Sequence, residues 1–173
     1  MSQTRNSIEL DTQAVEALRS VIAQAEIRSV LERYFYGLDA RDEEALKSCF
    51  SADAHYEANT GKGRRIVFKG ATEISSTLVR LMGRFDASLH VTSSPAVMID
   101  GDRATADVFA AANMVFKQPE DNGQIFVRGV RYRDELRRIN GKWVITNRVH
   151  TTRWQHNAQS IQPFVPPAVG IDK

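Results

Sequence analysis

The sequence predicts an α+β domain in which three helices come first and a meandering antiparallel sheet follows. Three observations carry this. Apolar residues recur at helical spacing in the first half, as in Ile27, Val30, Leu31, Tyr34 and Leu38. Three turn pairs, Asp100-Gly101, Asn122-Gly123 and Asn140-Gly141, divide the second half into four long strands. The chain has 173 residues, 42% hydrophobic and 25% charged, which suits one soluble domain over 1–173 and excludes a disordered chain.

The first helix carries the apolar stripe just named, and Gly37 is expected to loosen its last turn. Asp42 is a good N-cap for a short second helix, with Glu43 and Glu44 in its first turn and Ala45, Leu46 and Phe50 along it. A strand pair, Ala54 to Ala58 and Ile66 to Phe68, is separated by the Gly61-Lys62-Gly63 turn. The third helix is expected from Thr72 to Met82, with Ile74, Leu78 and Leu81 facing the core. The long strands fall at about 87–99, 103–117, 124–139 and 142–155. Such a sheet must bury one face, and the three helices are available to cover it. The tail, 156–173, holds Pro163, Pro166 and Pro167, which rule out a central strand or regular helix. It also holds Ile161, Phe164, Val165, Val169 and Ile171, so it is expected to pack on the domain, on a neighbouring subunit or over a pocket mouth.

Charge and cysteine content exclude several functions. With 23 basic and 21 acidic residues the net charge is +2, so no nucleic-acid partner is expected. The basic runs Lys62, Arg64, Arg65, Lys69 and Arg128 to Arg138 read as solvated strand faces. No apolar run approaches a membrane span, and Met1 to Leu10 lacks the apolar core of a signal peptide, so a cytoplasmic protein without membrane partners is expected. The single cysteine, Cys49, excludes an internal disulfide framework and is expected to be a buried, inert thiol. His55 and His156 lack metal-ligand spacing, Gly61-Lys62-Gly63-Arg64 does not continue into a phosphate loop, and no Gly-x-Ser-x-Gly elbow occurs. No metal and no cofactor are therefore expected.

Four ionisable residues remain as candidates for chemistry. Tyr34 lies on the apolar stripe, as a core tyrosine or as a hydrogen-bond donor. Asp39 falls at the C-terminal end of the first helix, where the helix dipole opposes a carboxylate and would raise its pKa, as suits a general base. It could instead belong to the loop. Strand alternation puts Ser88, His90, Thr92 and Ser94 on one polar face, open to solvent or lining a polar cavity, with Leu89 and Val91 on the other. Arg148 and His150 share a parity on the last strand, where an inward arginine could hold an oxyanion and an outward one would be solvated.

The order of elements, with several local runs, resembles the NTF2-like, or SnoaL-like, cone. Ile27-Arg28-Ser29-Val30-Leu31-Glu32-Arg33-Tyr34-Phe35-Tyr36-Gly37-Leu38-Asp39-Ala40-Arg41-Asp42 is similar to the opening helix of the SnoaL-like branch. Phe50-Ser51-Ala52-Asp53-Ala54, Phe68-Lys69-Gly70, Tyr132-Arg133-Asp134-Glu135-Leu136 and Gly141-Lys142-Trp143-Val144-Ile145 resemble later segments of it. The resemblance covers about residues 14–155. It implies a curved sheet enclosing a pocket, so that the face of His90 lines a cavity. The branch with scytalone dehydratase, bile-acid 7α-dehydratase and a dehydrochlorinase implies an Asp–His base, here Asp39 and His90, with Tyr34 and Arg148 assisting. Asn113 stands near the position of an acidic residue in the bile-acid enzyme, and Asp107 shares its strand face nearer the turn. Phe35, Leu38, Phe85, Asn113, Met114 and either Val108 or Phe109 are expected to contact substrate.

The implied function is a cofactor-free lyase, dehydratase-like, or an isomerase acting on a small cyclic or polycyclic, largely apolar substrate. Two alternatives stand beside it: a non-catalytic accessory subunit resembling the β subunit of ring-hydroxylating dioxygenases, and an enzyme resembling ketosteroid isomerase. The convex sheet face and the apolar tail suggest a homo-dimer or trimer.

Overall fold

The computed structural model describes residues 11–60, 63–117 and 124–158. The elements follow as α1 (Thr12–Ala40), α2 (Glu43–Ser48), β1 (Phe50–Asn59), β2 (Arg65–Lys69), α3 (Ala71–Met82), β3 (Phe85–Thr92), β4 (Ala96–Asp100), β5 (Arg103–Phe116), β6 (Ile125–Ile139) and β7 (Lys142–Ala158). Helices and sheet together make the α+β architecture that the sequence predicts.

Asp11 starts α1 by accepting the Ala14 N–H at 2.6 Å. The stripe Ile27, Val30, Leu31, Tyr34 and Leu38 is buried throughout. At the C-terminus Arg41 turns left-handed, with φ 57°, and the Asp42 N–H bonds back to the Gly37 carbonyl at 2.9 Å. Gly37 serves packing rather than loosening the turn. A Cβ there would lie 2.9 Å from Leu46 Cγ, so its absence lets α2 close against α1. Asp42 caps α2 through the Ala45 N–H at 2.9 Å, as its position predicts. That helix stops at Ser48, and Phe50 starts β1 beside Ile145 instead of extending the helix. On α3, Ile74 and Leu78 are buried, but Leu81 is half-exposed and Met82 takes the core position.

The sheet runs in the order β2-β1-β7-β6-β5-β3, with β4 also paired to β5. Two features depart from a plain meander. The expected strand 87–99 is two strands, β3 and β4, both antiparallel to β5 and interrupted at Ser93-Ser94-Pro95. Pro95 has no N–H to give a ladder, and the Ser93 hydroxyl accepts the Phe109 N–H at 3.1 Å in the gap. Secondly, the sheet is mixed, because β1 pairs with β7 in parallel. The chain leaves β2 through α3 to the far edge, and the meander then returns to lay β7 along β1.

The register fixes which side chains face inward. Ile139 opposes Lys142 across Asn140-Gly141, both with positive φ, as the turn pair predicts. Along β5 the buried set is Ala104, Ala106, Val108, Ala110, Ala112 and Met114, mostly small. Small residues there leave space between sheet and helices. Bulges in β7 near Thr146 and Arg153 shift its pairing with β6 and keep Trp143, Ile145, Arg148 and His150 facing in. The last strand extends to Ala158, beyond the expected 155 and into the stretch read as tail. The remaining tail, Met1 to Leu10, the turn residues Gly61 and Lys62, and the Asn122-Gly123 pair lie outside the described residues.

Candidate active site

Between α1, α3 and the concave face of the sheet lies a cavity of about 390 Å³, within the usual range for a small-molecule site. Its apolar wall includes Leu38, Leu78, Met82, Phe85, Ala112 and Met114. Its polar groups are Tyr34, Tyr56, Tyr132, His90, His150 and Thr60, with Arg64, Arg84 and Arg128. Among the described residues, none lining it is acidic.

Asp39, one residue from the end of α1, reaches across to β3. Its Oδ1 lies 2.7 Å from His90 Nδ1, and its Oδ2 accepts the His90 main-chain N–H at 2.8 Å. Arg41 holds the same corner by donating to the Phe85 carbonyl at 2.5 Å. The His90 side chain is 4% exposed and turns inward, as Ser88 does, whereas Thr92 and Ser94 of the same polar set are exposed, and Leu89 and Val91 face out. Burial alone would raise the Asp39 carboxyl, but the bonds from the His90 ring and main chain outweigh it and hold the group below its ordinary value. The expected upward shift at the helix end is thus overturned by local bonding. Asp39 is placed as an ionised partner of His90 and not as a base of its own.

Tyr34 is fully buried, and its hydroxyl lies 3.2 Å from that of Tyr56. Burial raises the pKa of Tyr34 and raises Tyr56 and Tyr132 well above the ordinary phenol value. All three therefore meet the cavity as neutral hydroxyls able to donate. His150 stacks on Tyr56 at 6.5 Å and packs edge-on to Tyr132 at 5.2 Å between ring centroids. Burial, with the charges of Arg128 and Arg148, pushes it down to about 4, so it is a neutral imidazole near pH 7.

Arg148 does not line the cavity. It is fully buried behind Tyr34, with its guanidinium carbon 3.9 Å from that ring. Its Nε and Nη2 donate to the two carboxylate oxygens of Asp134, each at 2.6 Å. Burial opposes its charge, but the Asp134 carboxylate more than offsets this and raises its pKa. The expectation that it holds a substrate oxygen gives way to a structural position under Tyr34.

The expected contact residues divide in the same way. Leu38, Phe85 and Met114 line the cavity. Phe35 packs behind His90, with ring centroids 5.8 Å apart, and does not line it. Asn113 is on the outer face of β5, where its amide donates to the Leu89 carbonyl at 3.3 Å. Asp107 is also outside, paired with Arg131. Neither can supply a second carboxylate. Val108 faces in and Phe109 faces out, 53% exposed. Cys49 is buried against the Val30 and Ala45 carbonyls, and burial pushes its thiol up to about 11, which suits an inert group.

Sequence reasoning gave no site role to Tyr56, Tyr132 or His150, and it read Arg64 and Arg128 as parts of solvated strand faces, whereas both line the cavity and Arg128 is half-buried. A usable signal was present: Arg128 shares the parity of Val130, Tyr132 and Asp134 on β6, whereas Arg131, Arg133 and Arg137 have the opposite one.

Comparison with solved structures places this arrangement among known folds. The dehydrochlorinase LinA-type3 from Novosphingobium barchaimii LL02 matches with a TM-score of 0.72 and 21% identity, over 87% of this chain and 99% of that one. A hexachlorocyclohexane dehydrochlorinase (LinA) Type2 matches with a TM-score of 0.72 and 18% identity, over 88% and 99%. An NTF2-like superfamily protein from Salmonella enterica serovar Typhimurium LT2 matches with a TM-score of 0.66 and 22% identity, over 77% and 92%. At such identities the likeness is one of fold. Among the described residues no helix is long and apolar enough to cross a membrane. The SnoaL-like domain model matches residues 19–149, and the chain belongs to that family.

Proposed function

We propose that this protein is a cofactor-free lyase or isomerase, which removes a carbon-bound proton from a small cyclic substrate. The observation that carries the reading is the Asp39–His90 pair, partly buried in the cone, with His90 open to a cavity with no acidic lining among the described residues. Asp39 occupies Nδ1, so Nε2 is the ring nitrogen available to take the proton. The ionised carboxylate then stabilises the imidazolium. In an elimination, the C–H electron pair forms the new double bond and the bond to the leaving group breaks. A departing hydroxide receives a hydrogen bond from the tyrosine wall and takes the proton that His90 removed, so that water leaves and His90 returns to its neutral form. In an isomerisation, the same wall stabilises an enolate oxygen, and His90 returns the proton at another carbon.

Proton abstraction can be read before the natural substrate is known. In D2O, 2-tetralone serves as a bicyclic probe with an acidic C–H, and NMR follows its exchange for deuterium. The wild type is expected to accelerate exchange, and His90→Gln to lose about 10²–10⁴-fold. Asp39→Asn is expected to lose about 10²-fold, because the amide no longer supports the imidazolium. Exchange equal in wild type and His90→Gln would sink the reading and favour a binding or accessory role. With a true substrate, loss of water or halide separates lyase from isomerase.

Self-association is part of the same proposal. The outer face of β3, β4 and β5 exposes Leu89, Val91, Met98 and Phe109, an apolar group on a convex surface. A dimer or trimer covering this face is expected by light scattering at micromolar concentration, and a clean monomer would contradict it.

A further inference from the structure

We infer that the cavity selects cyclic substrates bearing a carboxylate, held by Arg128 with help from Arg84 and Arg64, while the ring lies toward His90 and the tyrosines. The inference rests on reading this cavity as the substrate site.

Three arginines converge on one cavity in which none of the described lining residues is acidic. Four arginines elsewhere have a carboxylate partner, Arg65 with Glu57, Arg131 with Asp107, Arg138 with Glu26 and Arg148 with Asp134, while exposed ones such as Arg133 and Arg137 have none among the described residues. Among the described residues, Arg64, Arg84 and Arg128 have no such carboxylate. Arg128 is the most telling. It is half-buried, and its Nε is a buried donor without a hydrogen-bond partner among the described residues. Its guanidinium lies 4.2 Å from the Phe126 ring centroid, a contact that fixes the plane without using its donors. Burial and the nearby charge of Arg84 both disfavour its protonated form. A guanidinium held charged against burial and a like charge, with a donor left unused, suits an incoming anion. The planar fork matches a carboxylate in two bonds. Arg64 and Arg84 are exposed and can draw the anion to the mouth.

The space divides accordingly. Arg128 sits on β6 on the same inward face as Val130 and Tyr132, and His90 is on β3. A substrate anchored at Arg128 can extend along the apolar wall of Met82, Phe85 and Met114 toward the Asp39–His90 pair. The carboxylate would position the ring and take no part in the chemistry.

Calorimetry with naphthalene-2-carboxylate and naphthalene-2-carboxamide tests this, because the two differ in charge and little in shape. A cyclohexane acid and amide form a second matched pair. The wild type is expected to bind at least one acid about tenfold or more tightly than its amide. Arg128→Gln should erase that preference, Arg128→Lys should keep part of it, and Arg84→Gln, at an exposed site, should weaken it severalfold. Arg133→Gln, on the outer face, should leave it unchanged. Amides binding as well as acids, no acid binding at up to about 5 mM, or a preference that survives Arg128→Gln would each overturn the inference. Binding is also measured in His90→Gln, where the acid preference should persist. Acid preference without proton exchange in the wild type would remove the proposed reaction and leave the anion site standing. Exchange without acid preference would do the reverse.

Discussion

Two acid–base pairs lie inside the cone, and they are built differently. Asp39 and His90 come from a helix end and an edge-side strand, 51 residues apart, and the imidazole opens onto the cavity. Asp134 and Arg148 are cross-strand neighbours on β6 and β7, with both side chains 0% exposed. The rings of Tyr34, Tyr132 and Phe50 surround that guanidinium at 3.9, 5.0 and 5.9 Å. Both pairs are hydrogen-bonded, the first partly and the second fully buried, yet only the first leaves a titratable atom beside open space. Burial and charge alone therefore do not mark a reactive group. A pair joined by two hydrogen bonds, covered by rings and shut off from the cavity is scaffold, even with the Arg148 Nη1 left without a partner among the described residues. A pair spanning two elements beside a cavity can do work on a substrate.

The sharpest way to break this contrast is Arg148→Met. It leaves the Asp134 carboxylate buried without its partner, and unfolding in urea is expected to lose about 3–5 kcal/mol. A double change, Asp134→Leu with Arg148→Met, should recover most of that, since neither charge then remains. If Arg148→Met costs under about 1 kcal/mol while deuterium exchange falls sharply, Arg148 acts on the substrate and the division is wrong.

The next effect is one of pH. His150 has a folded pKa of about 4, against about 6.5 when unfolded. Its pKa is lowered because burial and Arg128 penalise the charged ring. The unfolded chain therefore binds the proton more readily between these values. Stability is complete above about pH 6.5 and declines as pH falls toward 4, by about 3 kcal/mol in all. The Asp39 carboxyl, also lowered, adds its own loss only below its ordinary value of about 4. The two windows are separable. Urea titrations from pH 7 to 4.5 should show a slope in the wild type that His150→Phe flattens. Parallel curves would mean that His150 is not held neutral in the fold.

How much of this was legible in the sequence depends on the range of the interaction. The Asp42 cap, the Asn140-Gly141 turn and the α1 stripe are local, and all three are found as expected. The Ser93-Ser94-Pro95 break was missed, although Pro95 marks it, because the apolar residues on either side, Leu89, Val91, Val97 and Ile99, keep one parity. The parallel β1–β7 pairing was missed because it sets residues such as His55 beside Asn147, a separation beyond any local pattern. Asp39 and His90 were singled out by helix position and strand parity and paired by resemblance, but the sign of the Asp39 shift depends on two bonds from β3 that spacing cannot supply. Arg148 and Asn113 show the opposite limit. Residue type fitted a role, and only the covering rings and the outward face of β5 remove them from the cavity.

Tyr34 is the hinge of the comparison, because its ring covers Arg148 while its hydroxyl meets Tyr56 at the cavity wall. Tyr34→Phe separates these two duties. The ring remains, so the Arg148–Asp134 pair stays covered and the stability loss is expected to be about 1 kcal/mol, the scale of one hydrogen bond. Deuterium exchange should fall about tenfold, less than the 10²–10³-fold of a sole oxyanion donor, because the Tyr56 hydroxyl remains beside the site. Tyr34→Leu removes the ring as well, and the loss should then grow to about 3 kcal/mol, the usual scale for truncating a buried aromatic. The test is the gap between the two variants in urea unfolding. If both lose the same stability, the ring contributes nothing over Arg148. In that case the sealed pair would owe its isolation to Phe50 and Tyr132 alone, and the line between scaffold and reactive groups would run on the other side of Tyr34.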